Sequence, residues 1–263
     1  MALSYSQLST YRRCPRQYEY ACVKKLPRAM SEGESFGSSL HNTLRKFGLL
    51  ELERQEPKKK QLMLFTDDHP HDQQVELSLT TLLSLWRESF IAEGYASRAE
   101  MDARFAAGER ALRHYFAWWS SEPRNVAAIE KGFSLRVPDA DDLTLSGRFD
   151  RVERSAHGLT VIDYKSTGPR EEASLQTDLQ LSVYAIAAAD LWKEPVNALV
   201  LLSVTEEGIT EQITTRTAAE LIDALKSIRL LAERIASKDF GATPSAHACR
   251  HCPYRDICPA RAV

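Results

Sequence analysis

The 263-residue chain reads as an α/β fold in which a central mixed β-sheet is flanked by helices. Three observations predict it. Three successive segments after Pro123 alternate apolar and polar residues, a helical stretch then leads into a continuous apolar run, and strongly helical sequence precedes and follows this block.

Ser4 and Ser6 are placed to cap a helix over residues 7–23, which includes Tyr11, Cys14 and Tyr18. Pro15 predicts a break or restart within it. A second helix is expected over 37–50, with Leu40, Leu44 and Phe47 at core spacing and His41 just off that stripe. Residues 51–72 are polar, with Lys58, Lys59 and Lys60 ahead of Asp67-Asp68-His69-Pro70-His71, and read as a loop. Helices over 74–93 and 98–120 follow, whose Trp86, Phe90, Phe105, Tyr115 and Trp118 read as core.

Residues 127–137, 143–154 and 159–165 are the alternating segments, separated by turns at Pro138-Asp139 and His157-Gly158. They predict an antiparallel meander. Residues 176–192 are helical, 196–204 suit a buried strand, 209–215 a short alternating strand and 218–237 a closing helix. The order is β-β-β-α-β within one unit: a helical part over 1–122, a sheet core over 123–240, and a cysteine-rich tail over 241–263 that meets Cys14.

Hydrophobic residues at 43% and charged residues at 27% exclude a disordered or fibrous chain. No stretch reaches the roughly 18 apolar residues of a membrane span, and residues 1–10 lack the pattern of a signal peptide, so a cytoplasmic location is expected. The net charge of -2 is unevenly spread. Residues 1–60 hold twelve Lys/Arg and six Asp/Glu, a balance of +6, which leaves -8 for the other 203. That suits a protein touching phosphates in one place and holding cations in another, although solvated basic helix faces give the same charge.

Asp163-Tyr164-Lys165 ends a strand, so Asp163 and Lys165 point to one side. Asp150 on the preceding strand, in Gly147-Arg148-Phe149-Asp150, is placed to face the same point. Two carboxylates beside a lysine suit a divalent cation and a scissile phosphate: Mg2+ takes oxygen ligands, and the lysine orients or polarises water. An Asp-x-Lys pair alone is common at strand ends.

The wider pattern resembles the RecB-like branch of the PD-(D/E)xK nucleases. Gly147-Arg148-Phe149-Asp150 resembles its Gly-x-x-Asp strand, Val161-Ile162-Asp163-Tyr164-Lys165 its signature strand, and Gln180-Leu181-Ser182-Val183-Tyr184 its Gln-x-x-x-Tyr helix. Phe36-Gly37-Ser38-Ser39-Leu40-His41 resembles an early helix whose histidine ligates metal. The resemblance implies a restriction-endonuclease-like core and a DNA exonuclease working on single-stranded or frayed ends, in repair, recombination or CRISPR adaptation. It makes Asp150, Asp163, Lys165, Gln180 and Tyr184 catalytic, and His41, Asp150 and Asp163 ligands of Mg2+ or Mn2+. An imidazole ligand favours Mn2+. Glu130 resembles an acidic position of the branch and equally reads as a strand-end surface charge.

Cys14, Cys249, Cys252 and Cys258 read as a metal site in a reducing compartment, and Cys22 falls outside the pattern. Four thiolates suit an iron-sulfur cluster or zinc, but a zinc ribbon has two Cys-x2-Cys knuckles and this chain has one. The four cysteines, and the opening residues Ser4 to Pro15, resemble the RecB-like nucleases that carry a [4Fe-4S] cluster, with Zn2+ as the alternative. Tying residue 14 to residue 249 closes a loop worth on the order of 5 kcal/mol of unfolded-state entropy. Arg12, Arg13, Arg16, Lys24 and Lys25 are candidate phosphate contacts. The chain has no Gly-x4-Gly-Lys-[Ser/Thr] loop, so any ATP-driven unwinding belongs to a helicase partner; an integrase partner is the counterpart in spacer acquisition. The other reading is a catalytically inactive DNA-binding or scaffold subunit of such a helicase-nuclease or integrase complex.

Overall fold

A computed structural model describes residues 1–55, 75–140 and 142–262. The chain opens with a three-residue strand, β1 (Ala2–Ser4), which the sequence reading lacks. Ser4 then starts α1 (Tyr5–Arg13) through a capping box with Gln7. The break at Pro15 is present: Cys14 is extended, Pro15 opens α2 (Pro15–Tyr18), and a π-helical turn covers Glu19–Val23. The expected second helix is α3 (Glu32–Gln55), longer at both ends. Ser78 and Ser97 cap α4 (Leu79–Ser89) and α5 (Arg98–Ser120). The polar loop expected around Lys58–Lys60 and Asp67–His71 lies outside the described residues, whereas residues 51–55 are helical.

The meander is β2 (Val126–Arg136), β3 (Thr144–Ser155) and β4 (Gly158–Lys165), antiparallel throughout. Gly158 closes the β3–β4 turn at φ +127°, and a Cβ there would stand 2.3 Å from the Pro195 carbonyl, so glycine is required. A short α6 (Glu172–Gln176) precedes α7 (Leu179–Trp192), capped by Asp178 and ended by Lys193 in the left-handed region. β5 (Val196–Thr205) runs parallel to β4, and β6 (Gly208–Thr214) returns antiparallel to β5. Thr217 and Glu220 box the start of α8 (Ala218–Ala236), and α9 (Ala246–Arg250) leads into the cysteine tail.

The strands form one mixed sheet in the order β1-β3-β4-β5-β6, with β2 on β3. α1, α7 and α8 bury one face around Phe149, Val161, Leu181 and Ile228, while α3, α4 and α5 bury the other around Leu40, Trp86, Leu112 and Leu202. Each such fully buried side chain contributes about 1.5–3 kcal/mol. The helices flanking the sheet are thus layers laid against its two faces.

Two irregularities position the functional residues. First, β1 pairs with β3 only up to Ser146, and β4 pairs with it only from Arg151, so residues 147–150 line a fork between diverging strands. Past the fork, Asp163, Tyr164 and Lys165 pair with β5 alone. Second, the positions facing the first core are odd on one side of the fork (Phe133 and Leu135, Leu145 and Phe149) and even on the other (Ala128, Val152). The alternation therefore flips at Glu130 and Asp150, the one pair missing from the run Ile129–Arg151 and Lys131–Phe149. Glu130 carries φ 48°. Such a backbone costs of order 1–3 kcal/mol, held here by the ladders on either side.

Candidate active site

Asp163 sits at the fork with its side chain 2% exposed. Gln180 Nε2 donates to Asp163 Oδ1 at 2.9 Å, and Gln180 Oε1 accepts from Lys165 Nζ at 3.3 Å. The second proton on Nε2 goes to the Tyr184 hydroxyl at 2.9 Å, whose own proton is offered to the Arg148 carbonyl at 2.8 Å, with Asp163 Oδ1 at 3.3 Å. Counting protons this way fixes the amide orientation of Gln180 and makes it a bridge between acid and lysine. Gln180 and Tyr184 lie on one face of α7, as their i, i+4 spacing predicts, and that face covers β4.

This leaves Asp163 Oδ2. It is buried, and its partner is Lys165 Nζ in an ion pair at 2.5 Å. Burial pushes the Asp163 carboxyl up to about 6, with the Asp150 charge adding to it and Lys165 opposing it. Tyr184 is likewise raised, by burial and then by the charges of Asp163 and Asp150, and stays a proton donor.

Asp150 bridges the fork from the other strand: its Oδ2 accepts from Tyr164 N–H at 2.9 Å, where a ladder bond would otherwise run. His41, on α3, places Nδ1 3.4 Å from the same oxygen, an electrostatic contact without hydrogen-bond geometry. Burial pulls His41 down, but contact with Asp150 and the charges of Asp150 and Asp163 outweigh it and hold the imidazole above its ordinary value. Ligand atoms of His41, Glu130 and Asp150 lie within 4.8 Å of one another, close enough to share a cation. Of the expected ligand set of His41, Asp150 and Asp163, the structure gathers His41 and Asp150 with Glu130, whereas Asp163 stands outside that group with its Oδ2 held by Lys165. Two hard carboxylates and one imidazole fit a divalent metal such as Mn2+ or Mg2+.

Sequence patterns had no means of revealing the support behind this group. Arg151, beside Asp150, is fully buried and bonds both oxygens of Glu51 on α3 at 2.7 and 2.9 Å, with Glu153 at 2.6 Å. Tyr164 and Tyr115 join hydroxyls at 3.2 Å behind the site. These partners are remote in sequence and carry no local signature.

Cys14, Cys249, Cys252 and Cys258 line one small cavity between α2 and the carboxyl-terminal tail. Burial pushes the Cys14 thiol up, but backbone N–H groups of Thr243, Gln17 and Arg16 outweigh it and bring the thiol below its ordinary value. Cys252 is raised by burial, reinforced by the other three sulfurs. Ala262 N–H donates to Cys249 Sγ at 3.3 Å. Cys22 packs instead against the first core. Of the five basic candidates, Arg16 and Lys24 both pair with Glu19 at 3.0 Å and Arg16 lines the cysteine cavity, whereas Arg12, Arg13 and Lys25 are exposed.

Residues 2–259 match the PD-(D/E)XK nuclease superfamily, and the chain belongs to that family of nucleases. It is 22% identical over 290 residues to the Gene 69 protein of Mycobacterium phage L5, covering 97% of this chain and 95% of that one. Among solved structures it is similar to the protein SSO0001, with TM-score 0.48 and 13% identity over 100% of this chain and 87% of the other. It is also similar to a Eubacterium rectale protein described as a candidate exonuclease, with TM-score 0.46 and 11% identity over 90% and 80%. Among the described residues no helix is long and apolar enough to cross a membrane.

Proposed function

We propose that the chain is a Mg2+- or Mn2+-dependent deoxyribonuclease of the RecB-like branch, an exonuclease hydrolysing phosphodiester bonds on single-stranded or frayed DNA ends. The observation that supports this reading is the Gln180 bridge, which holds the buried Asp163 carboxylate and the Lys165 ammonium together. A bound divalent cation supplies Lewis-acid stabilisation of the phosphate and a water of lowered pKa. His41, Glu130 and Asp150, whose ligand atoms lie together, would hold it, with Asp163 proposed as a further ligand.

The chain's own groups do the positioning. Lys165 presents its ammonium to a non-bridging phosphate oxygen or to the attacking water, and Gln180 keeps it from swinging away from Asp163. Asp150 stays aimed across the fork because Tyr164 N–H holds one of its oxygens. Preorganised charge of this kind is what a slow phosphodiester hydrolysis requires.

The four cysteines are proposed to ligate a [4Fe-4S] cluster that staples the amino-terminal helices to the tail. Their shared cavity and the lowered Cys14 thiol support it. Anaerobically purified protein should be brown, with visible thiolate-iron absorbance; colourless protein with one equivalent of zinc makes this a zinc site instead. Any ATP-driven unwinding would fall to a helicase partner, since this sequence carries no phosphate loop, and co-purification of a helicase or an integrase tests for such a complex.

The decisive assay is Mn2+-dependent cleavage of single-stranded and duplex DNA by wild type and Asp163→Ala. Activity in the wild type alone is expected. Activity in both or in neither defeats the assignment.

A further inference from the structure

Beside the catalytic fork lies an open cleft of about 470 Å³, within the roughly 300–1,000 Å³ typical of ligand sites. Tyr5 and Ser6 of α1 wall one side, and Gly132 and Arg148 lie on the other, on β2 and β3. Its inner end is formed by Gln180 and Tyr184, the same two side chains that hold Asp163 and Lys165. The cleft is therefore continuous with the site of chemistry. We propose that it binds a second phosphodiester of the nucleic-acid strand, neighbouring the one cut, with Arg148 as the phosphate ligand; this rests on the nuclease reading above.

Two features carry the inference. Arg148 has a side chain 65% exposed, with its guanidinium 3.2 Å from Glu130. Glu130 also stands within ligand distance of His41 and Asp150. A cation drawing on Glu130 weakens that ion pair and frees the guanidinium fork, whose geometry matches phosphate oxygens. Arg148 thus becomes available when the metal site is filled.

The second feature is the residue opposite it. Gly132 pairs directly with Arg148 in the ladder. A Cβ at Gly132 would meet only the Gly147 carbonyl, at 3.9 Å, and its φ lies outside the left-handed region. Neither packing nor backbone demands glycine at this exposed strand position, where β-branched residues are favoured. What glycine provides is space: a cross-strand side chain would stand about 5 Å from the Arg148 Cβ and occupy the cleft floor.

The test uses the full chain, a fluorescein-labelled single-stranded oligonucleotide, and Ca2+ in place of Mn2+ for binding. Gly132→Val is expected to keep the melting temperature while weakening oligonucleotide binding by roughly tenfold. Arg148→Gln is expected to weaken binding and to reduce the slope of log affinity against log salt by about 0.7, the loss of one single-strand phosphate contact. Should Gly132→Val melt lower, the Arg148→Gln slope decides alone. Wild-type affinity and slope in both variants, with unchanged KM in Mn2+ cleavage, overturns the cleft and leaves the nuclease reading standing. Gly132- and Arg148-dependent binding without Mn2+ cleavage does the reverse. A wild type that neither binds nor cuts overturns both.

Discussion

Glu51 and Arg151 lie one hundred residues apart and form a bidentate ion pair at 2.7 and 2.9 Å, with the arginine side chain fully buried. The pair joins α3, which carries His41, to β3 at the residue next to Asp150. It therefore ties the helix bearing His41 to the strand bearing Asp150. Removing Glu51 leaves the buried Arg151 with Glu153 as its remaining acid partner, so Glu51→Gln should cost about 1–3 kcal/mol in chemical denaturation. Replacing both, as Glu51→Leu with Arg151→Met, should recover much of that loss while Mn2+ affinity measured by calorimetry stays lowered. Equal destabilisation by the single and double variants would show that the pair is not a coupled unit.

Asp163 gives a pH dependence with a definite sign. Burial pushes its folded carboxyl up to about 6 from an ordinary 3.8. The folded state then binds more protons at Asp163 than the unfolded state between these values, so Asp163 contributes stability to metal-free protein that is lost as pH rises from about 4 to about 6. Asp163→Asn should remove that fall, and Mn2+ should restore stability above pH 6 by mass action in wild type only. Thermal melts with EDTA or Mn2+ across this range measure it; a melting-temperature difference between metal-free wild type and Asp163→Asn that does not change with pH contradicts the assignment.

Glu130 is held at φ 48° within a strand. Because that conformation aims a ligand and does not fill core, Glu130→Gln should lower Mn2+ affinity by about tenfold or more with little change in stability. Calorimetric titration of the two proteins checks it.

The cysteine cavity separates two kinds of thiol. Cys14→Ser should lower the melting temperature and abolish visible absorbance, because Cys14 joins the cavity from the far end of the chain. Cys22→Ser should keep the absorbance, since Cys22 packs on the apolar core. A soluble Cys14→Ser protein with unchanged melting temperature removes the staple from the account.

Much of this protein was legible along the chain because the relevant physics is local. Alternation marked β2 to β4, the spacing of Gln180 and Tyr184 placed both on one helical face, strand parity put Asp163 beside Lys165, and Pro15 marked the break between α1 and α2. The three-residue β1 escaped notice, since a strand that short has no period and exists only through pairing with Thr144–Ser146. Tertiary structure alone decided the rest. The reversal of alternation at Glu130 and Asp150 brings a first-strand acid to His41 and Asp150, and a period-2 reading cannot anticipate its own interruption. The Glu51–Arg151 clamp and the hydroxyl pair of Tyr115 and Tyr164 join residues with no sequence relationship. Sequence determined which side chains are the candidates for the chemistry; the diverging strands decided where their atoms meet, because that depends on where ladders stop pairing.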